Sequence, residues 1–228
     1  MNKIAIYTAI TGMRDNLKEP KFVPKGCDFI CFSDSSWSSK KWIVKPIESI
    51  DSDPVLSAKI YKILPHHFLK EYEYSIWVDG YFVIRGDVTI LLEKYLAKAP
   101  MALYKHPQRN CIYEEAEACI ELNKDNAETI RKQMELYRAE GYPKNNGLLA
   151  CGLILRKNCP VVNKNDEDWW LEIRKHSKRD QLSFPYIARK NNLSYAVIDD
   201  NVWDNPYIKK VPHRKKKKPL LPKWLFPW

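Results

Sequence analysis

The 228-residue chain lacks the loops by which nucleotides are most often held. It has no G-x-x-x-x-G-K-[ST] run and no G-x-G-x-x-G, so neither glycine-rich phosphate cradle is present. The absence of a G-x-S-x-G elbow removes the serine-hydrolase arrangement built on that turn. No apolar run approaches the ~20 residues of a membrane span. The opening stretch Lys3–Ile10 is too short, and too polar afterwards, for a secretory signal, and reads as a first strand. Six cysteines (Cys27, Cys31, Cys111, Cys119, Cys151, Cys159) show no C-x-x-C spacing. Without an export signal they read as reduced and structural rather than as zinc ligands or a disulfide framework.

Acids are also missing after Asp204. Lys209, Lys210, Arg214, Lys215, Lys216, Lys217, Lys218 and Lys223 are eight uncompensated positive charges there, and removing them from the net +10 leaves +2 for residues 1–208. The basic character therefore belongs to a tail, 206–228, and not to the domain at 1–205. The tail interleaves its lysines with Leu220, Leu221, Trp224, Leu225, Phe226 and Trp228, and Pro219, Pro222 and Pro227 argue against a helix. Lysines beside large rings suit an anionic membrane surface. A solvated tail is the bland alternative, and nucleic acid ranks last because no signature of such binding accompanies the charge.

What is present reads as one α/β domain, with 45% hydrophobic residues and enough length to bury a large core. Strands are expected at Lys3–Ile10, Asp28–Ser33, Lys41–Val44, Tyr74–Ile84, Met101–Lys105, Leu148–Arg156 and Tyr195–Ile198. Helices are expected at Pro54–Leu69, Val88–Ala97, Glu114–Glu121, Ala127–Glu140, Asp166–Lys175 and Leu182–Lys190. Asp125 with Glu128 resembles a capping box, and Gly141 stands where a C-cap belongs. Alternation of this kind argues for helices layered on a sheet.

The most informative stretch is Tyr74–Ile84, YSIWVDGYFVI. Ile76, Trp77 and Val78 form an uncharged β run, as in a strand covered on both faces. Asp79 follows, where an open α/β sheet holds its ligand. A carboxylate there suits a divalent cation set against phosphate oxygens, or equally the cap of a turn. Lys59, Lys62 and His66 are spaced to share one helix face, opposite Leu56, Ile60, Ile63 and Leu64. The lysines suit a diphosphate, or form a solvated basic face, and Pro65 makes His66 the least secure of the three. Asp34 ends a second strand, where it meets a base or ribose or caps a turn. His106, Arg109, Glu114 and Glu115 follow the Met101–Lys105 strand, with Arg109–Glu114 as a plain ion pair in the structural reading. Small residues in Asn145–Gly152 permit a close approach to the backbone. Arg179, Asp180 and Gln181 either cap a helix or hold sugar hydroxyls. His213 is a lone histidine near the tail.

In this order the segments resemble the GT-A-fold glycosyltransferases, and in particular a family once catalogued as a domain of unknown function whose plant members act on mucilage and wall polysaccharides. The resemblance rests on Ile6–Gly12 (IYTAITG), Cys31–Asp34 (CFSD), Ser57-x-Lys59-x-x-Lys62, Tyr74–Gly80 (YSIWVDG), Lys105–Glu115 and Arg179–Tyr186 (RDQLSFPY), and spans Lys3 to Asn205. It implies a GT-A-like central mixed sheet flanked by helices. It further implies a hexosyltransferase-type enzyme that moves sugar from a nucleotide-diphosphate sugar, a UDP-sugar first, to a glycan or lipid-linked glycan in surface polysaccharide or lipopolysaccharide synthesis. Thr8, Ile10 and Asp34 would line the nucleoside pocket, with Lys59, Lys62 and Asp79 at the diphosphate. His106, Arg109, Glu115 and Gln181 would face the acceptor. Asp180 would be catalytic, taking the acceptor proton if the enzyme inverts and positioning the sugar if it retains. The usual metal pair is Asp-x-Asp, and here Tyr81 stands at the second acid. A manganese or magnesium ion would then rest on Asp79 and His213, with Arg214 or Lys215 at the diphosphate. The tail would hold the enzyme peripherally on the inner face of a membrane, placing it in the cytoplasm. The competing class is a non-catalytic nucleotide-sugar or carbohydrate-binding module.

Overall fold

Alternating apolar residues give each strand two buried faces, and the sheet they form separates two cores. The computed structural model describes residues 3–47 and 51–213. Strands β1 (Ile4–Ile10), β2 (Cys27–Ser33) and β3 (Ile43–Pro46) pair in parallel, and β1 pairs in parallel with β4 (Tyr74–Val78) on its other edge. Ala5, Tyr7, Ile30, Phe32 and Trp77 enter the core under the helices, while Ile6, Ile10, Phe29, Cys31, Ile76 and Val78 enter the opposite core. That is the period-two division expected of strands covered on both faces.

Beyond β4 the direction of pairing changes. Antiparallel β7 (Leu149–Lys157) follows, then β6 (Met101–Lys105), antiparallel to β7, and β8 (Ala196–Ile198), parallel to β6. The order is β3-β2-β1-β4-β7-β6-β8. Consequently β1, β2, β4, β6 and β8 all end on one side, where ligands of open α/β sheets bind.

The expected strand Tyr74–Ile84 is two elements. The Phe82 amide donates to the Asp79 carbonyl at 2.9 Å, so the chain turns through Asp79, Gly80 and Tyr81. A new strand, β5 (Phe82–Ile84), pairs antiparallel with β9 (Ile208–Lys210) in a separate two-stranded sheet. The segment read as the start of a tail thus enters the folded body as β9, and Lys209 and Lys210 lie on it. Residues 214–228, which hold Arg214, Lys215 and the tail aromatics, lie outside the described residues.

The expected helix Pro54–Leu69 is likewise divided, into α1 (Pro54–Ile63) and α2 (Pro65–Phe68). Pro65 has no amide to continue the ladder, and Leu64 leaves helical geometry at φ −112°, ψ 53°. Asp53 caps α1 by accepting from the Val55 amide. Leu56, Ile60, Ile63 and Leu64 pack toward the sheet as read. Helices α3 (Ile90–Leu96), α4 (Ile112–Glu121) and α5 (Ala127–Ala139) fall close to expectation. The cap of α5 is Asn126, bonded to the Thr129 amide, rather than Asp125 with Glu128. Asp125 instead accepts from Ser177 Oγ and the Lys178 amide. Gly141, at φ +74°, ends α5 as expected. Helix α6 (Pro160–Lys175) begins six residues before the expected start, with Pro160 at its first position, and α7 (Asp180–Lys190) begins at Asp180.

The six cysteines are free thiols, four of them buried. Among the described residues no helix is long and apolar enough to cross a membrane.

The β5–β9 sheet depends on Gly86. A Cβ there would stand 2.4 Å from the Pro206 carbonyl oxygen, a backbone atom that cannot swing aside. Gly86→Ala should therefore lower stability by ~1–3 kcal/mol, the usual range for an overpacked contact. A melting temperature equal to wild type would show that β9 docks without this close approach.

Candidate active site

At the side where the parallel strands end lies an open cavity of about 530 Å³, within the usual range for small-molecule sites. Its floor is a chain of opposed charges. Lys62, on α1, is almost fully buried and reaches Asp180 Oδ2 at 2.6 Å and Asp79 Oδ1 at 3.2 Å. Lys59, one turn earlier, reaches the same Asp180 oxygen at 2.9 Å. One lysine thereby links the end of β4 to the first residue of α7. Trp77 Nε1 also donates to Asp79 Oδ1, at 2.7 Å. Trp77 and Asp79 are two residues apart and share one strand face.

These contacts decide the ionisation. Burial alone would raise the Asp180 carboxyl, but Lys59, Lys62 and Arg179 outweigh it and hold the group far below the ordinary carboxylate range. Burial would discharge Lys62, yet Asp180 and Asp79 keep its ammonium charged well above the ordinary lysine value. Burial does lower Lys59. With Arg179, whose Nε is buried and finds no partner among the described residues, the floor carries three positive groups against two negative.

The rim is also basic. Arg14, Lys124, Lys178, Lys210 and His213 line the cavity alongside one further acid, Asp15. His213 Nδ1 lies 2.9 Å from Asp15 Oδ1, and its ring meets Tyr81 edge-on at 5.0 Å. Lys210 lies over the Trp203 ring at 4.9 Å. Tyr81 fills the position of the second acid and bonds to Asp79, and burial followed by that carboxylate raises its hydroxyl well above the ordinary tyrosine value. Gly152 permits the close fit beneath. A Cβ there would stand 2.7 Å from Phe82 Cε2, 3.0 Å from the Tyr81 hydroxyl and 3.4 Å from Asp79 Oδ2.

The structure brings Ile10, Lys59, Lys62, Asp79, His106, Asp180, Gln181 and His213 to this cavity. The remaining expected residues lie elsewhere. Thr8 is buried inside β1, with its hydroxyl unpartnered among the described residues. Asp34 accepts from the Gly12 amide at 2.6 Å, which is the turn-capping reading. Arg109 and Glu115 pair with each other at 2.5 Å behind the wall, so Glu115 and not Glu114 is the arginine's partner. His106 Nδ1 accepts from the amides of Gln108 and Arg109, which leaves the proton on Nε2, 3.7 Å from Glu115. His66 turns away from the lysines toward Glu167, because the helix breaks before it.

Sequence reasoning missed Arg14, Asp15, Lys178 and Lys210. Arg14 and Asp15 follow Gly12, whose φ of +58° marks the turn after β1. That turn was the available signal. Lys178 adjoins Arg179 at the head of α7, whereas Lys210 reaches the cavity only through a long-range strand pair.

A parallel sheet with an acid at its central strand end, closed by antiparallel strands and a basic cleft, is the GT-A-like architecture of glycosyltransferases. The structure of mouse xyloside xylosyltransferase 1 in its apo form matches with a TM-score of 0.52, covering 87% of this chain and 85% of that one at 13% identity, a likeness of fold. Residues 37–211 match the model of the TOD1/MUCI70, glycosyltransferase-like domain, and the chain belongs to that family. It is 26% identical over 230 residues to the probable hexosyltransferase MUCI70 of Arabidopsis thaliana, a match covering 86% of this chain but 40% of that protein. The chain thus spans less than half the length of that relative. The segments at Ile6–Gly12 and Cys31–Asp34 precede the family match, and the segments from Ser57 through Tyr186 lie inside it.

The low carboxyl value of Asp180 has a measurable sign. Its folded-state pKa lies below its unfolded value, so in acid the unfolded chain binds the extra proton. The stabilisation is present above about pH 4, the ordinary carboxylate value, and is lost as the pH falls. Denaturation curves between about pH 5 and 2 should show wild type losing stability more steeply than Asp180→Asn. Equal slopes would mean that Lys59 and Lys62 do not hold this carboxylate in solution.

Proposed function

We propose that the cleft transfers a sugar from a nucleotide-diphosphate sugar, a UDP-sugar first, to a hydroxyl of a glycan or lipid-linked glycan. The observation that carries this reading is the three-against-two charge balance at a strand-end floor, beneath a basic rim, in a chain of a glycosyltransferase-like family. A departing diphosphate gains negative charge as the glycosidic bond breaks, and fixed positive groups stabilise that charge most where water is excluded. Lys59 and Lys62 set the net charge of the floor, and His213, Lys210 and Arg14 on the rim meet the diphosphate. Ile10 lies beside the nucleoside. His106 and Gln181, near the head of α7, face the acceptor.

Asp180 is the positioning group in this reading. A carboxylate held so far below its usual range is a weak proton acceptor, since a general base works best with a pKa near the working pH. Its task is to hold the two lysines and accept from a sugar hydroxyl.

A divalent cation, manganese or magnesium, suits the donor types present. Asp79 lines the cavity with its Oδ1 engaged by Lys62 and Trp77, and Asp15 with His213 adds a carboxylate and an imidazole on the same cavity. Asp79 and His213 would hold it, with Asp15 beside His213 as a further acid; the ligand atoms of the three do not all lie within 4.8 Å of one another, so the side chains would have to draw together around the ion. Bound there, the cation would neutralise the leaving diphosphate.

The 214–228 tail, by its lysines and rings, would hold the protein at the cytoplasmic face of an anionic membrane, at about 1 kcal/mol per basic residue near the surface. Ending the chain after Lys218 should abolish hydrophobic anchoring. Unchanged sedimentation with anionic liposomes after that truncation would remove the membrane part of the proposal.

The central test is a nucleotide-sugar panel scored for acceptor-dependent release of free nucleotide, with and without manganese. One donor should be turned over, and Asp79→Asn should lower the rate by roughly 100-fold or more, the scale seen when one electrostatic group is removed from a preorganised site. Donor binding without turnover, across the whole panel, would favour the non-catalytic binding module. Near-normal transfer by Asp79→Asn would remove this residue from the centre of the reaction.

A further inference from the structure

The break between α1 and α2 places a second cluster at the far end of the sheet from the cleft. Pro65 starts the short helix α2, and His66 and His67 follow on it. Both rings turn toward Glu167 on α6, a residue a hundred positions later in the chain. His66 Nε2 lies 3.0 Å and His67 Nε2 2.6 Å from the same oxygen, Glu167 Oε1. The two rings stand edge-on with centroids 4.5 Å apart. Among the described residues these are the only three histidine, cysteine, aspartate or glutamate side chains whose ligand atoms all lie within 4.8 Å of one another. None of them lines the catalytic cavity. His66 instead borders Tyr72 and Ser75, at the start of β4, whereas Asp79 follows its end.

We infer that His66, His67 and Glu167 form a site for a zinc-class divalent cation. Two imidazole nitrogens and a carboxylate oxygen are the donors that suit zinc, nickel, cobalt or copper, in contrast to the all-oxygen sets preferred by magnesium and calcium. Three atoms converging on one small volume make a shared ligand set, where an ordinary hydrogen bond needs only two. At a tetrahedral zinc with bonds of about 2.0–2.2 Å, ligand atoms stand roughly 3.4 Å apart. The observed 3.0 and 2.6 Å would open by about 0.4 and 0.8 Å to reach that spacing. His67 and Glu167 are 46% and 40% exposed at their side chains, which leaves an entry path and a fourth position for water.

None of the three residues lines the cleft, and the role of the site follows from the two helices it joins. Its effect would be to fasten α2, and with it the end of α1 that carries Lys59 and Lys62, to α6. This assignment is independent of the glycosyltransferase reading.

The test uses the full, tag-free chain, stripped with chelator, dialysed and titrated with zinc chloride by calorimetry, with melting followed in parallel. Wild type should bind one zinc at this cluster and melt higher with it. His67→Ala and Glu167→Gln, both at half-exposed positions, should melt near wild type without metal and bind that zinc at least ten-fold more weakly. A control carrying Asp79→Asn and His213→Ala, altered only in the cleft, should keep the zinc and its thermal shift. The inference is overturned if wild type binds no zinc, or if His67→Ala and Glu167→Gln bind it as tightly as wild type. Loss of all zinc binding in the cleft variant would overturn it as well, by assigning the metal to the cleft.

Discussion

The ammonium of Lys62 is the point from which the cleft end of the molecule is organised. It is buried, and a buried charge without partners is among the most destabilising features a fold can contain. Its partners are Asp79 at the end of β4 and Asp180 at the head of α7, so three elements distant in sequence must arrive together before any of these charges is compensated. Removal of one member of such a group typically destabilises by ~3–5 kcal/mol, because the others remain buried and unmatched. The same arrangement fixes the chemistry. Asp180 stays anionic, Lys62 stays cationic, and neither is free to exchange a proton near neutral pH. The floor is thus an electrostatic template more than a proton relay.

Much of this end could be read from residue order. Three uncharged residues before Asp79 specify a covered strand, and an acid after such a strand lies at the ligand-binding edge of the sheet. The spacing of Lys59 and Lys62 places them on one helix face, and the structure puts both in the cleft. What the spacing could not tell was their target. A lysine facing a strand-end acid serves equally for phosphate or for an internal ion pair, and here Asp180, more than a hundred residues on, supplies that pair. His66 shared the spacing but not the destination, because the proline between it and Lys62 broke the helix. The start of β9 was illegible for a related reason. Three residues of modest apolar character become a strand only through pairing with β5, a partner far away in the chain.

Tyr81 shows how a single exchange alters a site without dismantling it. A second acid at that position would add a negative charge beside Asp79. The phenol instead donates to Asp79 and packs against His213, so the pair carries one formal charge in place of two. Gly152 is the counterpart of this exchange, since the Phe82 ring and the Tyr81 hydroxyl occupy the space that any larger residue would claim.

The two-stranded sheet of β5 and β9 gives the cleft one of its walls, and its halves are joined by contacts such as Arg85 to Asn205, 120 positions apart. During synthesis, β4 and Asp79 emerge long before Lys210 and His213. A nascent chain can therefore build most of the sheet while its cleft stays open on one side. At that stage the part of the rim that carries Lys210 and His213 does not yet exist. The cleft is completed in one late step, when β9 docks, and a ribosome stalled shortly before that point would hold a largely folded protein whose cleft lacks one wall.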